Sequence, residues 1–81
     1  MKSSQLKREL RKFLKTKHQD NDEDLISNNL LDSLNIVSFV SFIEKKLKLK
    51  CNLHKIDTNN FSSINKIVNF LIKNNKNKIK I

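Results

Sequence analysis

Apolar residues recur along this chain at the spacing of helices. Over residues 4–17, Leu6, Leu10, Phe13 and Leu14 fall at i, i+4, i+7 and i+8, which stacks them into one stripe and predicts an amphipathic helix. Ser3 or Ser4 is expected to cap it, since a hydroxyl can accept from the free N–H groups of a first turn. The period then stops. Residues 18–29 read as a long acidic loop in which Leu25 and Ile26 tuck against the core. Asp32, a favoured N-cap residue, begins a second helix over residues 33–47. Its buried face is expected to be Ile36, Val37, Phe39, Val40, Ile43 and Leu47, with Leu34, Ser38, Ser41 and Lys45 presented on the opposite side. Leu53 and Ile56 are expected anchors of an irregular stretch, and residues 57–61 one short helical turn. Ser62 or Ser63 then caps a last helix over residues 64–74, where Ile64, Ile67, Val68 and Leu71 repeat at i, i+3, i+4 and i+7. Residues 75–81 alternate Lys, Asn and Ile and are expected to fray. The expected fold is all-α: a small antiparallel bundle of three main helices plus one short helix, in a single domain spanning 1–81 with its core in about residues 4–74.

Composition narrows the function. One cysteine in 81 residues cannot form an internal disulfide, which points to a reducing compartment. The chain has no glycine, which excludes the glycine-rich phosphate loop and the dinucleotide fingerprint. Charges at Lys2, Lys7, Arg8 and Glu9 interrupt any secretory leader, and no run of about 18 apolar residues occurs. A soluble, cytoplasmic protein with no membrane insertion is expected.

The formal net charge is +9, from 17 Lys+Arg against 8 Asp+Glu, which would suit a nucleic-acid partner. Two features argue against reading it so. Fifteen of the 17 are lysine, and Asn and Ile are also heavily used; all three have A/T-rich codons, a bias that raises lysine without functional demand. The charge is also segregated. Residues 19–44 contain six acids (Asp20, Asp22, Glu23, Asp24, Asp32 and Glu44) and no Lys or Arg.

The candidate chemistry lies at the head of the second helix, in Asn29-Leu30-Leu31-Asp32-Ser33-Leu34-Asn35-Ile36-Val37. A serine in a first turn has its hydroxyl at the domain edge, and an anion attached there is expected to meet unpaired backbone N–H groups and the positive end of the helix dipole. No base stands at i±3 or i±4 of Ser33, so the serine is not an activated nucleophile and the chain itself is not expected to be an enzyme.

This stretch resembles the attachment motif of acyl and peptidyl carrier proteins, in which the serine of Asp-Ser-Leu bears 4′-phosphopantetheine. The order of helix, long loop, Asp-Ser-Leu helix, short helix and final helix follows that family over about residues 4–74. The Leu-Leu-Asp-Ser-Leu form looks closest to stand-alone carriers loaded by an adenylating ligase, including D-alanyl carrier proteins and carriers of specialised biosynthesis. The resemblance implies that Ser33 is modified from coenzyme A by a phosphopantetheinyl transferase, with Asp32 assisting. It implies an acyl or aminoacyl cargo held as a thioester, and as partners an adenylating acyl or aminoacyl ligase and downstream acyl-transferring enzymes. Recognition is then expected around Leu34, Ser38, Ser41 and Lys45, with no nucleic acid bound and the chain a monomer.

Three departures stand out. Lys45, Lys46 and Lys48 make the end of the second helix basic where carriers are commonly acidic. Ser38 and Ser41 are neutral. Asn29 stands where this subfamily often has glycine, and Asn is the usual substitute at left-handed backbone positions. The rival readings are a small basic helical nucleic-acid binder and a structural module in which the serine is idle. Cys51 reads as a small core or loop residue, and the two histidines with residues 20–24 as a solvated loop, with no metal site expected.

Overall fold

The structure is a computed structural model that describes residues 1–15, 21–51, 59–75 and 77–80. Three helices form: α1 over Ser3–Leu14, α2 over Asn35–Lys45 and α3 over Ile64–Asn74. Among the described residues there is no strand, only an isolated bridge between Lys2 and Lys80. No helix among them is long and apolar enough to cross a membrane. Of the expected short helix, Asp57 and Thr58 lie outside the described residues, as do Leu53 and Ile56, and residues 59–61 form a turn.

The α1 stripe is buried as its spacing predicts: Leu6, Leu10 and Leu14 face inward and Phe13 is half-buried. From α3 come Ile64, Ile67, Val68, Phe70 and Leu71. Full burial of such side chains contributes about 1.5–3 kcal/mol each, which is what fixes both helices against each other. α2 joins through rings. Phe13 stacks on Phe42 at 4.7 Å and meets Phe39 at 5.4 Å; Phe39 abuts Phe61 edge-on at 6.0 Å, and Phe61 abuts Phe70 at 5.2 Å. This run of rings links α1, α2, the 59–63 turn and α3 in one core.

Three expectations are corrected. Val37 is 70% exposed rather than buried. The hydroxyls of Ser3 and Ser4 do not cap α1; its N-cap is Lys2, and the Ser3 N–H donates to the Lys80 carbonyl at 2.6 Å. The described residues 75 and 77–80 of the tail are held rather than frayed. Lys80 N donates to the Met1 carbonyl at 2.8 Å, and Ile79 is buried against the core. One buried side chain, Ile79, anchors this segment once Met1 and Ser3 supply backbone partners for Lys80.

Candidate functional site

The loop ahead of α2 is built rather than slack. Asp24 Oδ1 accepts from the N–H groups of Ile26 and Ser27, both at 3.1 Å, and its Oδ2 accepts from the Ser27 hydroxyl at 3.0 Å. These bonds hold its carboxyl below the usual value, the Ser27 N–H first and the hydroxyl next, with Lys66 adding a favourable charge. One helical turn follows and closes at Asn29, whose φ is 60°. Leu30 N donates to the Leu25 carbonyl at 2.8 Å and Asn29 N to the Ile26 carbonyl at 3.1 Å. That pair of bonds around a left-handed residue is the Schellman arrangement, and it explains why Asn serves at this position in a chain without glycine. Leu25 and Leu31, both buried, pin the turn to the core, while Leu25 N reaches the Ser62 carbonyl at 2.8 Å.

The chain then enters α2 through Asp32. Its Oδ1 accepts from Leu34 N and Asn35 N, both at 2.9 Å, and its carbonyl accepts from Ile36 N at 3.0 Å. Asp32 is thus the N-cap by hydrogen bonding, two residues, Ser33 and Leu34, ahead of the regular turns of α2 that begin at Asn35. Asn35 returns the favour: its Oδ1 accepts from Asp32 N at 2.7 Å, and its Nδ2 donates to the Leu30 carbonyl at 3.0 Å. Two side chains thereby cap each other's backbone, a reciprocal box in which Asn takes the place of the usual Glu or Gln. Asn35 was not singled out from sequence; its position three residues after Asp32 was the available signal.

Ser33 lies in the first turn and is exposed, between exposed Asp32 and Leu34. Leu34 is 85% exposed, and Val37, one turn on, joins it as an apolar pair beside Ser33. Ser38 and Lys45 are exposed and Ser41 is half-buried on the same helix. One expectation about this site is corrected. The first-turn N–H groups of Leu34 and Asn35 already donate to Asp32, so an anion on Ser33 does not find them unpaired. The serine is displayed at the surface beside a carboxylate, not seated in an anion pocket.

The remaining candidates lie apart. Cys51 is buried, and burial, with the charge of Glu44 second, pushes its thiol up to about 12, so it is no nucleophile. His18, His54 and Asp20 lie outside the described residues, and no three metal-ligating side chains gather among the others. Phe42, which lies outside the expected buried arc of α2, packs on Phe13.

Compared with known protein families and with curated proteins, the chain matches none: no family model fits it, and no curated sequence is similar enough to count as a relative.

Proposed function

We propose that this chain is an acyl or aminoacyl carrier, modified on Ser33 with 4′-phosphopantetheine and passed between an adenylating ligase and acyl-transferring enzymes. The observation that carries the reading is an exposed serine one residue beyond an aspartate N-cap, in the sequence Leu-Leu-Asp-Ser-Leu, at the head of a helix fixed by a built loop. The residues fit a tethered group by access: Ser33 is exposed, so a substituent on its oxygen can extend into solvent.

In the modification, Ser33 Oγ forms a bond to the phosphorus nearer the pantetheine of coenzyme A. The pyrophosphate P–O bond breaks, adenosine 3′,5′-bisphosphate leaves, and the serine proton passes to the transferase. No side chain among the described residues hydrogen-bonds the Ser33 hydroxyl, so the transferase is expected to supply the base for that proton. Asp32 keeps Ser33 in the first turn through Oδ1, and its exposed carboxylate is the charged group that a transferase meets beside the hydroxyl. When bound, the arm supplies a thiol for thioester chemistry. Leu34 and Val37 offer the apolar contact beside the arm, and Ser38, Ser41 and Lys45 continue the surface along α2.

Intact mass after incubation with coenzyme A and a promiscuous transferase tests the reading. A gain of one phosphopantetheine, absent in Ser33→Ala, supports it; an unmodified chain with several transferases overturns it.

A further inference from the structure

The outward side of α2 is graded along its length. At about 100° per residue, Leu34, Ser38, Ser41 and Lys45 share one stripe with Val37 along its edge, opposite the buried face of Phe39, Val40 and Ile43. Leu34 and Val37 are 85% and 70% exposed, and among the described residues the only other large apolar side chain standing in solvent is Met1. Scattered exposed apolar residues are ordinary. Here both fall within about one turn of Ser33. Beyond them Ser38 and Ser41 carry no charge and little bulk, so another surface can approach the helix closely.

The charges lie at the two ends of the stripe. Asp32 stands exposed at the start. About 16 Å along the axis from Leu34, the far end displays Lys45 and Lys46, with Lys48 just past it, all exposed. Lys48 stays there because Leu49 N turns back to the Ile43 carbonyl at 3.2 Å and the Leu49 side chain is buried. The one salt bridge among the described residues joins Lys12 to Glu9 and involves none of these lysines. A helix C-terminus carries about half a negative charge. Glu44 adds one more, on the flank where its field reaches Cys51. Three lysines exceed both, so this end of α2 is net positive.

The grading decides what kind of partner fits. A phosphate chain gains nothing from the apolar pair, which occupies the place nearest Ser33. A second copy would bring another +9 of charge against the first and would cover Ser33 in both chains. A lasting complex buries about 800 Å² on each partner, more than two apolar side chains and two serines supply. The fitting partner therefore visits briefly, and charge governs its encounter and its selection.

Resting on the reading of Ser33 as an attachment site, we propose that α2 docks on enzymes that take Leu34 and Val37 in an apolar pocket and present carboxylates where Lys45, Lys46 and Lys48 land. Acid-faced enzymes are accepted and base-faced ones refused.

The test loads the full apo chain from coenzyme A with two promiscuous phosphopantetheinyl transferases, one with acidic and one with basic side chains flanking its carrier-binding cleft. Initial rates are read by intact mass. The acid-flanked enzyme is expected to show a kcat/KM at least about tenfold higher at low salt, the gap closing as salt screens the charges. Lys45→Glu/Lys46→Glu reverses the order. The milder Lys45→Gln/Lys46→Gln, for use should the first variant strain the helix end, narrows the gap. Val37→Ser raises KM about threefold or more for both enzymes with kcat held. Arg8→Glu/Lys73→Glu makes the same charge change at exposed positions of α1 and α3 and is expected to keep the order. If that pair shifts the order as far as the α2 pair does, net charge decides and the docking face is overturned. Equal rates, a preference for the base-flanked enzyme, or an unaltered KM for Val37→Ser overturn it as well. In each of those outcomes Ser33 is still loaded and the carrier reading stands. A chain loaded by neither transferase overturns the carrier reading, and the docking face falls with it.

Discussion

Asn75 grips the backbone of Lys50 on both edges, its Oδ1 accepting from Lys50 N at 2.7 Å and its Nδ2 donating to the Lys50 carbonyl at 2.9 Å. The same Nδ2 donates to the Leu71 carbonyl at 2.9 Å, and the side chain is buried. The segment after α2 is thereby fastened to the end of α3. Asn75→Ala leaves buried backbone groups without partners and is expected to cost about 2 kcal/mol or more. Urea unfolding with an unchanged m-value measures it. A loss below about 0.5 kcal/mol would mean that water replaces the amide.

Lys48 has a φ of 56°, a left-handed conformation that costs a residue with a Cβ about 1 kcal/mol. Lys48→Gly is expected to stabilise by about 0.5–1 kcal/mol and raise Tm by a few degrees. Asn29→Gly gains less, because Asn tolerates the conformation, while a β-branched residue there disrupts the turn that leads to Ser33. No rise in Tm for Lys48→Gly would contradict the assigned backbone.

The Asp24 carboxyl is held below its ordinary value of 3.8, so its stabilising contribution is complete above that value and is lost as pH falls through the lower, folded value. The amide signals of Ile26 and Ser27 should therefore hold steady near neutral pH and move only in acid, titrating below 3.8. Asp24→Asn keeps a cap and removes this titration. A midpoint at or above 3.8 would show that the bonds to Ser27 do not form in solution.

Asp32 has two separable roles. Asp32→Ala loses the cap and is expected to cost about 1 kcal/mol, whereas Asp32→Asn caps equally well and should unfold within a few tenths of a kcal/mol of the parent chain. If the charge also serves the transferase, Asp32→Asn slows phosphopantetheine transfer by about tenfold or more at undiminished stability. Transfer at the parent rate would leave Asp32 a cap only.

The helices were legible because Leu6, Leu10 and Leu14, or Ile64, Ile67 and Leu71, repeat in a way that only a helix can bury on one side. The cap at Asp32, the outward position of Leu34 and the left-handed Asn29 were legible for the same local reasons. Val37 was not. It and Phe42 flank the α2 core face on opposite sides, each about 100° or more from Ile36, and periodicity cannot say which flank a neighbour covers. Phe13 settles it by stacking on Phe42, which leaves Val37 in solvent beside Ser33. Asn75 and Ile79 escaped detection because their partners, Lys50 and the chain start, are far away in sequence and carry no local signature. The attachment of a prosthetic arm rests on motif resemblance and on the exposure of Ser33, and the mass experiment decides it.

The bond from Ser3 N to the Lys80 carbonyl joins the first turn of α1 to a residue synthesised after all three helices. During translation α1 can form early, yet its opening N–H must stay hydrated until residue 80 clears the ribosome. A nascent chain stalled short of residue 80 lacks this clasp, and the first turn of its α1 is expected to fray.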